Sequence, residues 1–295
     1  MRKIIRIDPP PAGHWVGDGF PVRSLLSHRV QGEIVSPFLL LDYAGPMDFP
    51  PAPTPRGVGA HPHRGFETVT LVLDGEIAHR DSTSAGGIIG PGDVQWMTAG
   101  AGVLHEEMHT PAFTRTGGRF EIVQLWVNLP AAHKMIAPRY QTLLDDDIPR
   151  IDLPDDAGLV RVIAGDYAGH RGPARTYTPI NIWDVRLDGG ATATFALPEG
   201  HSLILAALDG ALRIHDSIHG DRSVDMAEVV VFAREGGDIS VHAERDTKFL
   251  LLGGEPIDEP VVQQGPFVMN TLDELQQALA DYRAGEFGTL PDAAG

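Results

Sequence analysis

Apolar residues occur along this chain in short runs of strand length, each closed by a turn residue. The runs are rich in Val, Ile, Leu and aromatic residues and end in Gly, Asp or Pro, which is typical of antiparallel sandwich or barrel strands. The clearest runs are VRSLLSH, SPFLLLDYA, ETVTLVLDG, GDVQWMTAG, FEIVQLWVNL, VRVIAGDYAG, INIWDVRLDGG, HSLILAALDG, EVVVFARE and TKFLLLGGEP. The pattern predicts an all-β protein.

One segment near the C-terminus, TLDELQQALADYRAGEFG, has helical periodicity instead. Thr271 and Glu274 form a capping box, and Gly285 stands where a C-cap would end the helix. Apolar residues recur on one face of this helix at Leu272, Leu275, Leu279 and Tyr282. The segment predicts a short amphipathic C-terminal α-helix that packs on a β body.

The chain also carries a weak internal repeat. Laying ETVTLVLDGEIAHRDS on SLILAALDGALRIHDS aligns Gly75 with Gly210, and 295 residues suffice for two domains. Between the two copies lies LLDDDIPRIDLPDDAG, an acidic segment with prolines and no strand pattern, which is typical of a connection. We therefore predict two duplicated domains, 1–140 and 141–295, with the C-terminal helix in the second.

Composition limits the classes of partner. A formal net charge of −17 disfavours direct binding to nucleic acid or to an anionic membrane surface. No apolar run approaches the ~18 residues of a membrane span, and the N-terminus reaches charge and proline before any signal-like apolar run. We expect a cytoplasmic protein. Because the chain has no cysteine, any metal must be held by nitrogen and oxygen ligands.

Two short motifs, HPH at 61–63 and HEE at 105–107, place candidate ligands two residues apart. Strand side chains alternate between faces, so both members of each pair can point to the same side. Adjacent strands would then gather four ligands suited to Fe, Mn, Co, Ni, Cu or Zn, in an open rather than a closed structural site. The predicted metal ligands are His61, His63, His105 and Glu107.

The segment from His61 to Gly75 resembles the first motif of the cupin superfamily, and GDVQWMTAGAG leading into His105 resembles the second. Seven residues separate Glu67 from Gly75, one more than in the usual cupin motif. Because a shift of one residue in a strand sends a side chain to the opposite face, Glu67 should point away from the metal. Glu107 would then supply the acidic ligand.

Three segments together resemble the pirin family: HPHRGFETVTLVLDGEIAHRDS, GIIGPGDVQWMTAGAGVLHEEM and EPVVQQGPFVMNT. The resemblance implies two tandem cupin barrels, each a double-stranded β-helix, with one divalent metal in the first. Iron is the metal that the resemblance favours. The extra charge of Glu106, where a small polar residue is commoner in the family, should face away from the metal.

The repeat alignment also tests the second barrel. Ala196, Pro198, Ser240 and His242 stand where the ligands of the first barrel stand, and only one of these four has a metal-binding side chain. The second barrel is therefore expected to be metal-free. The remaining histidines, including His79, are expected in surface or core roles, and a supporting role stays open for His109.

The pirin resemblance implies a quercetin 2,3-dioxygenase-like enzyme that cleaves flavonols with O2. In this scheme a flat aromatic substrate enters an apolar pocket, and Glu107 both binds the metal and takes a proton from the substrate. The alternative is a non-enzymatic iron-binding regulator that contacts a transcription factor or a metabolic enzyme. With no Cys nucleophile and no serine hydrolase signature, covalent hydrolysis is disfavoured.

Overall fold

The computed structural model describes residues 1–216 and 220–291. His219, expected to have an ordinary role, lies outside the described residues. The chain forms two compact units, each built from more than one stretch of sequence. Unit 1 contains Met1–Ala12, Arg23–Leu40 and Asp146–Pro256. Unit 2 contains Gly13–Val22, Leu41–Asp145 and the chain from Ile257 onward.

The strands are numbered in chain order. The first half of the chain contains β1 Ile4–Asp8, β2 His14–Val16, β3 Phe20–Ser27, β4 Phe38–Phe49, β5 Gly57–His63, β6 Phe66–Asp74, β7 Ile77–Asp81, β8 Gly86–Ile89, β9 Val94–Thr98, β10 Val103–His109, β11 Gly118–Asn128 and β12 Arg139–Leu143.

The second half contains β13 Arg150–Asp152, β14 Gly158–Ala164, β15 Asp166–Tyr167, β16 His170–Arg171, β17 Ile180–Leu187, β18 Thr192–Ala196, β19 Ser202–Asp209, β20 Ala211–Asp216, β21 Gly220–Asp225, β22 Val229–Phe232, β23 Asp238–Ala243, β24 Thr247–Gly254, β25 Val262–Gln264 and β26 Phe267–Met269. The α-helices are α1 His28–Gln31, α2 Pro111–Thr116 and α3 Leu272–Arg283. Short 3-10 turns occupy Gly32–Val35, Ala131–His133, Asp145–Asp147 and Pro154–Asp156.

Unit 2 is a barrel of two antiparallel sheets. Its larger sheet has the strand order β12-β9-β6-β11-β4-β3-β2, and its smaller sheet has the order β5-β10-β7-β8. Aromatic and aliphatic side chains from both sheets fill part of the interior, among them Phe20, Val72, Ile77 and Phe120. The candidate ligands lie on the smaller sheet.

Unit 1 repeats this plan. Its larger sheet has the order β1-β22-β19-β24-β17-β14-β13, and its smaller sheet has the order β18-β23-β20-β21. Gly75 and Gly210 follow equivalent strands with φ of 92° and 89°, a conformation that glycine adopts without the strain of a Cβ. Two tandem cupin-type barrels are confirmed, together with the predicted all-β class.

The segment predicted as a connection without strands contains two short strands, β12 and β13. β12 pairs with β9 in unit 2, and β13 pairs with β14 in unit 1. The boundary between the units therefore falls at Asp145 and Asp146 rather than after residue 140. These strands are short and flanked by aspartates, so their sequence gives little periodic signal.

The terminal segments also depart from the predicted division. Helix α3, assigned from the sequence to the second domain, lies in unit 2 with the first barrel, where Leu275 and Ala278 pack against Phe267 and Phe287. β1, assigned to the first domain, pairs with β22 in unit 1. Each terminus thus completes the barrel built from the other half of the sequence.

The helix itself forms as predicted. Both hydrogen bonds of the capping box between Thr271 and Glu274 are present, and Gly285 has a positive φ of 79° after the last turn. The buried face differs from the predicted one, because Leu272 is 65% exposed while Ala278 is fully buried. Among the described residues, no helix combines the length and apolar character needed to cross a membrane.

Candidate metal centre

Strand β10 forms the middle of the site. It lies between β5 and β7, with His105 opposite His61 on one side and Asp81 on the other. Glu107 lies opposite His79 on β7. Because directly opposed residues in an antiparallel pair point to the same face, the two predicted motifs and His79 meet on one side of the sheet.

The three histidines predicted as ligands form a compact cluster. The ring centroids are 4.2 Å apart for His61 and His105, 4.9 Å for His61 and His63, and 4.8 Å for His63 and His105. One ring nitrogen from each lies within 4.8 Å of the others, a spacing compatible with a shared metal ion. His63 and His105 are buried, and His61 is half-buried.

The hydrogen bonds of these rings leave nitrogens free for a metal. Nδ1 of His61 lies 2.8 Å from the Gly59 carbonyl, to which it donates, so Nε2 keeps its lone pair. Among the described residues, Nδ1 of His63 and Nε2 of His105 are buried without a hydrogen-bond partner. Unpaired buried nitrogens cost free energy unless something binds them. The donor set therefore fits a transition metal.

Electrostatics keep two of these imidazoles neutral. Burial lowers the pKa of His63 well below its ordinary value, with a smaller contribution from the neighbouring His61. Burial likewise lowers the pKa of His105, with contributions from His63 and His61. Since only the neutral imidazole has a lone pair to offer, both rings are in the form that binds metal at neutral pH.

Glu107 lies in a second, overlapping group. Its carboxylate, together with ring nitrogens of His79 and His105, forms a buried set within 4.8 Å. Between His105 and Glu107 the pairing of β10 with β5 shifts by one residue, so Glu107 lies opposite Val58 rather than Gly59. Thus His105 belongs to both groups, while Glu107 groups with His79 rather than with His61 and His63.

A hydroxyl supports the carboxylate. Oγ1 of Thr70 lies 3.1 Å from Oε1 of Glu107 and 2.8 Å from Oε1 of Gln124. A hydroxyl carries one hydrogen, so it donates to one of these oxygens at a time. Glu107 can therefore gain or lose this hydrogen bond without a change in backbone.

The other two glutamates face away from the cluster. Glu67 is an odd number of positions from Thr70 on β6, and its carboxylate accepts a hydrogen bond from Thr98 at 2.7 Å. This is the orientation that the one-residue shift predicts. Burial raises the pKa of Glu67 to about 7. Glu106 pairs with Arg80, so its extra charge is neutralised away from the ligands.

An aromatic wall, Phe66 and Trp126, borders the cluster. The ring of His63 lies 5.0 Å from Phe66 and 5.3 Å from Trp126, and the two wall rings are 4.3 Å apart at an angle of 34°. Phe66 is buried, whereas Trp126 is half-buried. Both residues come from the larger sheet, so the cluster lies between the two sheets of the barrel.

His109, the histidine whose role stayed open, lies away from the ligand nitrogens. Its ring packs among Phe49, Phe113 and Phe120, and Nε2 donates to the Gly19 carbonyl at 3.1 Å. It is a core residue with a satisfied hydrogen bond. On the smaller sheet of unit 1, the inward positions of β18 and β23 are apolar, namely Ala193, Phe195, Ile239, Val241 and Ala243.

Sequence reasoning missed the residues behind His105. Nδ1 of His79 lies 3.3 Å from Nδ1 of His105 and 2.9 Å from Nε2 of Gln95. The ring of Tyr140 stacks on His79 at 5.0 Å. The available signal was the alternation of His79 and Asp81 directly after the strand turn at Gly75, which resembles the spacing of the ligand pairs.

Comparison with known proteins agrees with this geometry. A sequence model described as Pirin matches residues 19–127, and one described as the Pirin C-terminal cupin domain matches residues 182–288. A Pseudomonas aeruginosa protein is 55% identical to this chain, and its name gives quercetin 2,3-dioxygenase as an unproven activity. The match covers 97% of this chain and 99% of that protein. A pirin-like protein of Solanum lycopersicum is 39% identical, covering 92% and 88% of the two chains.

Among solved structures, a quercetin 2,3-dioxygenase from Acinetobacter baumannii superposes with a TM-score of 0.94 at 49% identity. The match covers 98% of this chain and 99% of that one. The two family matches, the close relatives and the shared fold lead to one conclusion. The chain belongs to the pirin family.

Proposed function

We propose that this protein is a metal-dependent dioxygenase that cleaves flavonols such as quercetin with O2. The observation that carries the proposal is the buried imidazole cluster beside a half-buried aromatic wall. In it, ring nitrogens of His63 and His105 have no hydrogen-bond partner among the described residues, and the ring of Trp126 lies 5.3 Å from that of His63. Relatives named for quercetin 2,3-dioxygenase align with nearly the whole length of this chain.

In the proposed site, His61, His63 and His105 would hold one divalent transition metal, with iron as our choice, and Glu107, which shares the overlapping group with His105, would complete the ligand set. When bound, such a metal supplies Lewis acidity that lowers the pKa of a coordinated hydroxyl. The protein supplies the neutral imidazoles of His63 and His105, and hydrogen bonds at Nδ1 orient the rings of His61 and His105. Glu107 then takes the substrate proton, and the Thr70 hydroxyl at 3.1 Å can stabilise the carboxylate before that transfer.

The aromatic wall supports a flat aromatic substrate. Trp126 and Phe66 offer flat apolar surface next to His63, and aromatic rings gain free energy by offset or edge-on contact with such surfaces. Gln124 lies two residues before Trp126 and is also half-buried, so its amide faces the same side. A flat phenolic ring system satisfies both the apolar and the polar part of this surface.

The test is anaerobic reconstitution with Fe(II), metal quantification, and then loss of quercetin absorbance together with O2 uptake. Wild type is compared with Glu107→Gln, and Glu67→Gln is the matched control because it alters a buried glutamate of the same barrel that faces away from the cluster. We expect turnover in wild type and in the control. In Glu107→Gln the turnover rate should fall at least ~100-fold, as for loss of a general base.

The outcomes separate the two functions considered. Turnover that survives Glu107→Gln would remove this residue from the chemistry. A wild-type protein that binds about one equivalent of metal and consumes neither quercetin nor O2 would overturn the dioxygenase proposal in favour of a metal-dependent regulator. Equal metal loss in Glu67→Gln and Glu107→Gln would refute the assignment of their faces.

A further inference from the structure

Behind His105 a chain of polar side chains leads to the turn between β7 and β8. The ring of His79 is fully shielded from solvent, with Nδ1 3.3 Å from Nδ1 of His105 and Nε2 3.5 Å from Oδ2 of Asp81. Oδ1 of Asp81 accepts hydrogen bonds from the Thr83 amide at 2.8 Å, the Thr83 hydroxyl at 2.6 Å and the Ala85 amide at 3.2 Å. The turn therefore fixes the carboxylate.

The charge of Asp81 determines the tautomer of His79. Burial alone would raise the pKa of Asp81, but hydrogen bonds from His79 and Thr83 outweigh it and hold the pKa below its ordinary value. A carboxylate accepts hydrogen bonds and donates none, so Nε2 of His79 carries a proton toward Asp81. Nδ1 of His79, which lies 2.9 Å from the Gln95 amide nitrogen, is then the acceptor of the ring.

Two donors share that acceptor. The side-chain amide of Gln95 donates to Nδ1 of His79 at 2.9 Å, and the Tyr140 hydroxyl, 3.3 Å from Oε1 of Gln95, orients the amide. The second donor is Nδ1–H of His105. With its proton on Nδ1, His105 keeps a bare Nε2, which is the nitrogen left without a partner among the described residues.

We propose that Asp81 and His79 are positioning residues that hold His105 in the tautomer with Nε2 free to bind metal. The inference rests on the metal site proposed above and extends it to two residues outside the ligand set. Carboxylate partners of ligating histidines act in this way in other metal sites, and here a second imidazole stands between the carboxylate and the ligand.

Asp81→Asn is the sharpest variant. The substituted side chain can keep an oxygen for the turn, but its amide nitrogen donates to Nε2 of His79. His79 must then carry its proton on Nδ1 and donate a hydrogen bond to Nδ1 of His105. Nδ1 of His105 becomes an acceptor, so the proton of His105 lies on Nε2 instead. We expect long-range 1H–15N spectra of the metal-free protein to show His105 protonated on Nδ1 in wild type and on Nε2 in Asp81→Asn. Affinity for Co(II) should fall about 10- to 100-fold.

Two further variants and one control complete the test. His79→Gln keeps an acceptor for His105 and should retain more Co(II) affinity than His79→Leu, which has none. Asp216→Asn is the control, because Asp216 is a buried aspartate at the end of β20, the equivalent strand of unit 1. It should leave both the His105 tautomer and Co(II) affinity unchanged.

A wild-type His105 protonated on Nε2, or unchanged tautomer and affinity in Asp81→Asn, would overturn the inference. If Asp81→Asn is too unstable to study, equal Co(II) affinity of His79→Gln and His79→Leu overturns it in the same way. A wild-type protein that binds no Co(II), Fe(II) or Zn(II) would instead defeat the proposed function, and the tautomer measurement would still decide the positioning role.

Discussion

Hydrogen bonding, rather than burial, distinguishes the buried histidines of the first barrel. His109 is buried among phenylalanines and satisfied by the Gly19 carbonyl, so it is part of the core. His63 and His105 are equally buried, yet each retains a ring nitrogen without a partner among the described residues. A buried polar atom that nothing satisfies marks a position where a ligand compensates for desolvation.

We expect His63→Ala to abolish metal binding and to leave the fold intact. The substitution removes a ligand, which should cost more than the ~100-fold typical of losing an outer partner. It also removes an unpaired buried nitrogen, which offsets part of the free energy of the cavity left behind. Metal content by mass spectrometry and the far-ultraviolet circular dichroism spectrum check both expectations.

The control is Glu67→Gln, which should bind metal as wild type does. Loss of the native spectrum in His63→Ala would show instead that the site is structural. Such a result would be unexpected for a barrel whose apolar core, including Phe20, Val72 and Phe120, lies apart from the ligands.

At the scale of elements, the C-terminal segment packs against the loop that follows β5 and is hydrogen-bonded to it. Lys134 is 1% exposed, and its Nζ donates to the carbonyls of Gly65 and Val268 at 2.8 Å and 3.1 Å and to Oδ1 of Asn128 at 2.7 Å. Arg64, next to His63, donates to Asp281 of α3 at 2.7 Å. The helix and β26 thus help to fix the strand end that carries His63.

We expect the loss in free energy of unfolding caused by Lys134→Met to depend on pH. Burial lowers the pKa of Lys134 from 10.5 to about 7, so between these values the unfolded chain binds more protons than the folded chain. The contribution of Lys134 to the free energy of unfolding therefore rises with pH across that window, and the penalty for the buried charge is fully present below it.

Urea unfolding of wild type and Lys134→Met at pH 6 and pH 9 measures this effect. Loss of the hydrogen bonds should cost about 1–3 kcal/mol at pH 9, and less at pH 6, where wild type carries the charge penalty. Lys248→Met, at a partly exposed position of unit 1, serves as the control. A cost that is larger at pH 6 than at pH 9 would contradict the assignment.

At the scale of the whole molecule, each compact unit needs a segment from the far end of the chain. Unit 2 includes the chain from Ile257 onward, and unit 1 includes the first twelve residues, Met1–Ala12. The smaller sheet of unit 2 holds the candidate ligands, but the segment around Pro266 and Phe267 lies against Arg64 beside them. The metal site therefore depends on residues far from it in sequence.

We expect a truncation after Pro256 to lose Co(II) binding and to lower the melting temperature. Such a chain keeps all four proposed ligands but lacks Val268, one of the three acceptors of Lys134, and Asp281, which accepts from Arg64. It also lacks the packing of Phe287 over the Arg64 guanidinium. A truncation after Pro291 is the matched control and should behave as the full chain does. Full metal affinity in the shorter protein would show that the C-terminal segment has no part in forming the site.

The ten apolar runs seen in the sequence all overlap strands of the two larger sheets, and this has a physical reason. Most of those strands are largely buried on both faces, as β9 and β19 show, so they read as continuous apolar segments. The strands of the smaller sheets alternate buried and partly exposed positions, as β10 and β23 do. Short alternating strands with polar residues give a weak signal, so the sheet that carries the candidate ligands was the harder one to predict.

By itself, the sequence determined the all-β class, the duplication, the capped helix and the two histidine motifs, because these depend on local spacing. Only the tertiary structure decided which unit each terminus completes, which face of α3 is buried, and that His79 and Asp81 stand behind His105. Those outcomes depend on strand register and on pairing between distant segments, including the pairing of β10 with β7 that sets Glu107 opposite His79. Local spacing does not encode such long-range pairings.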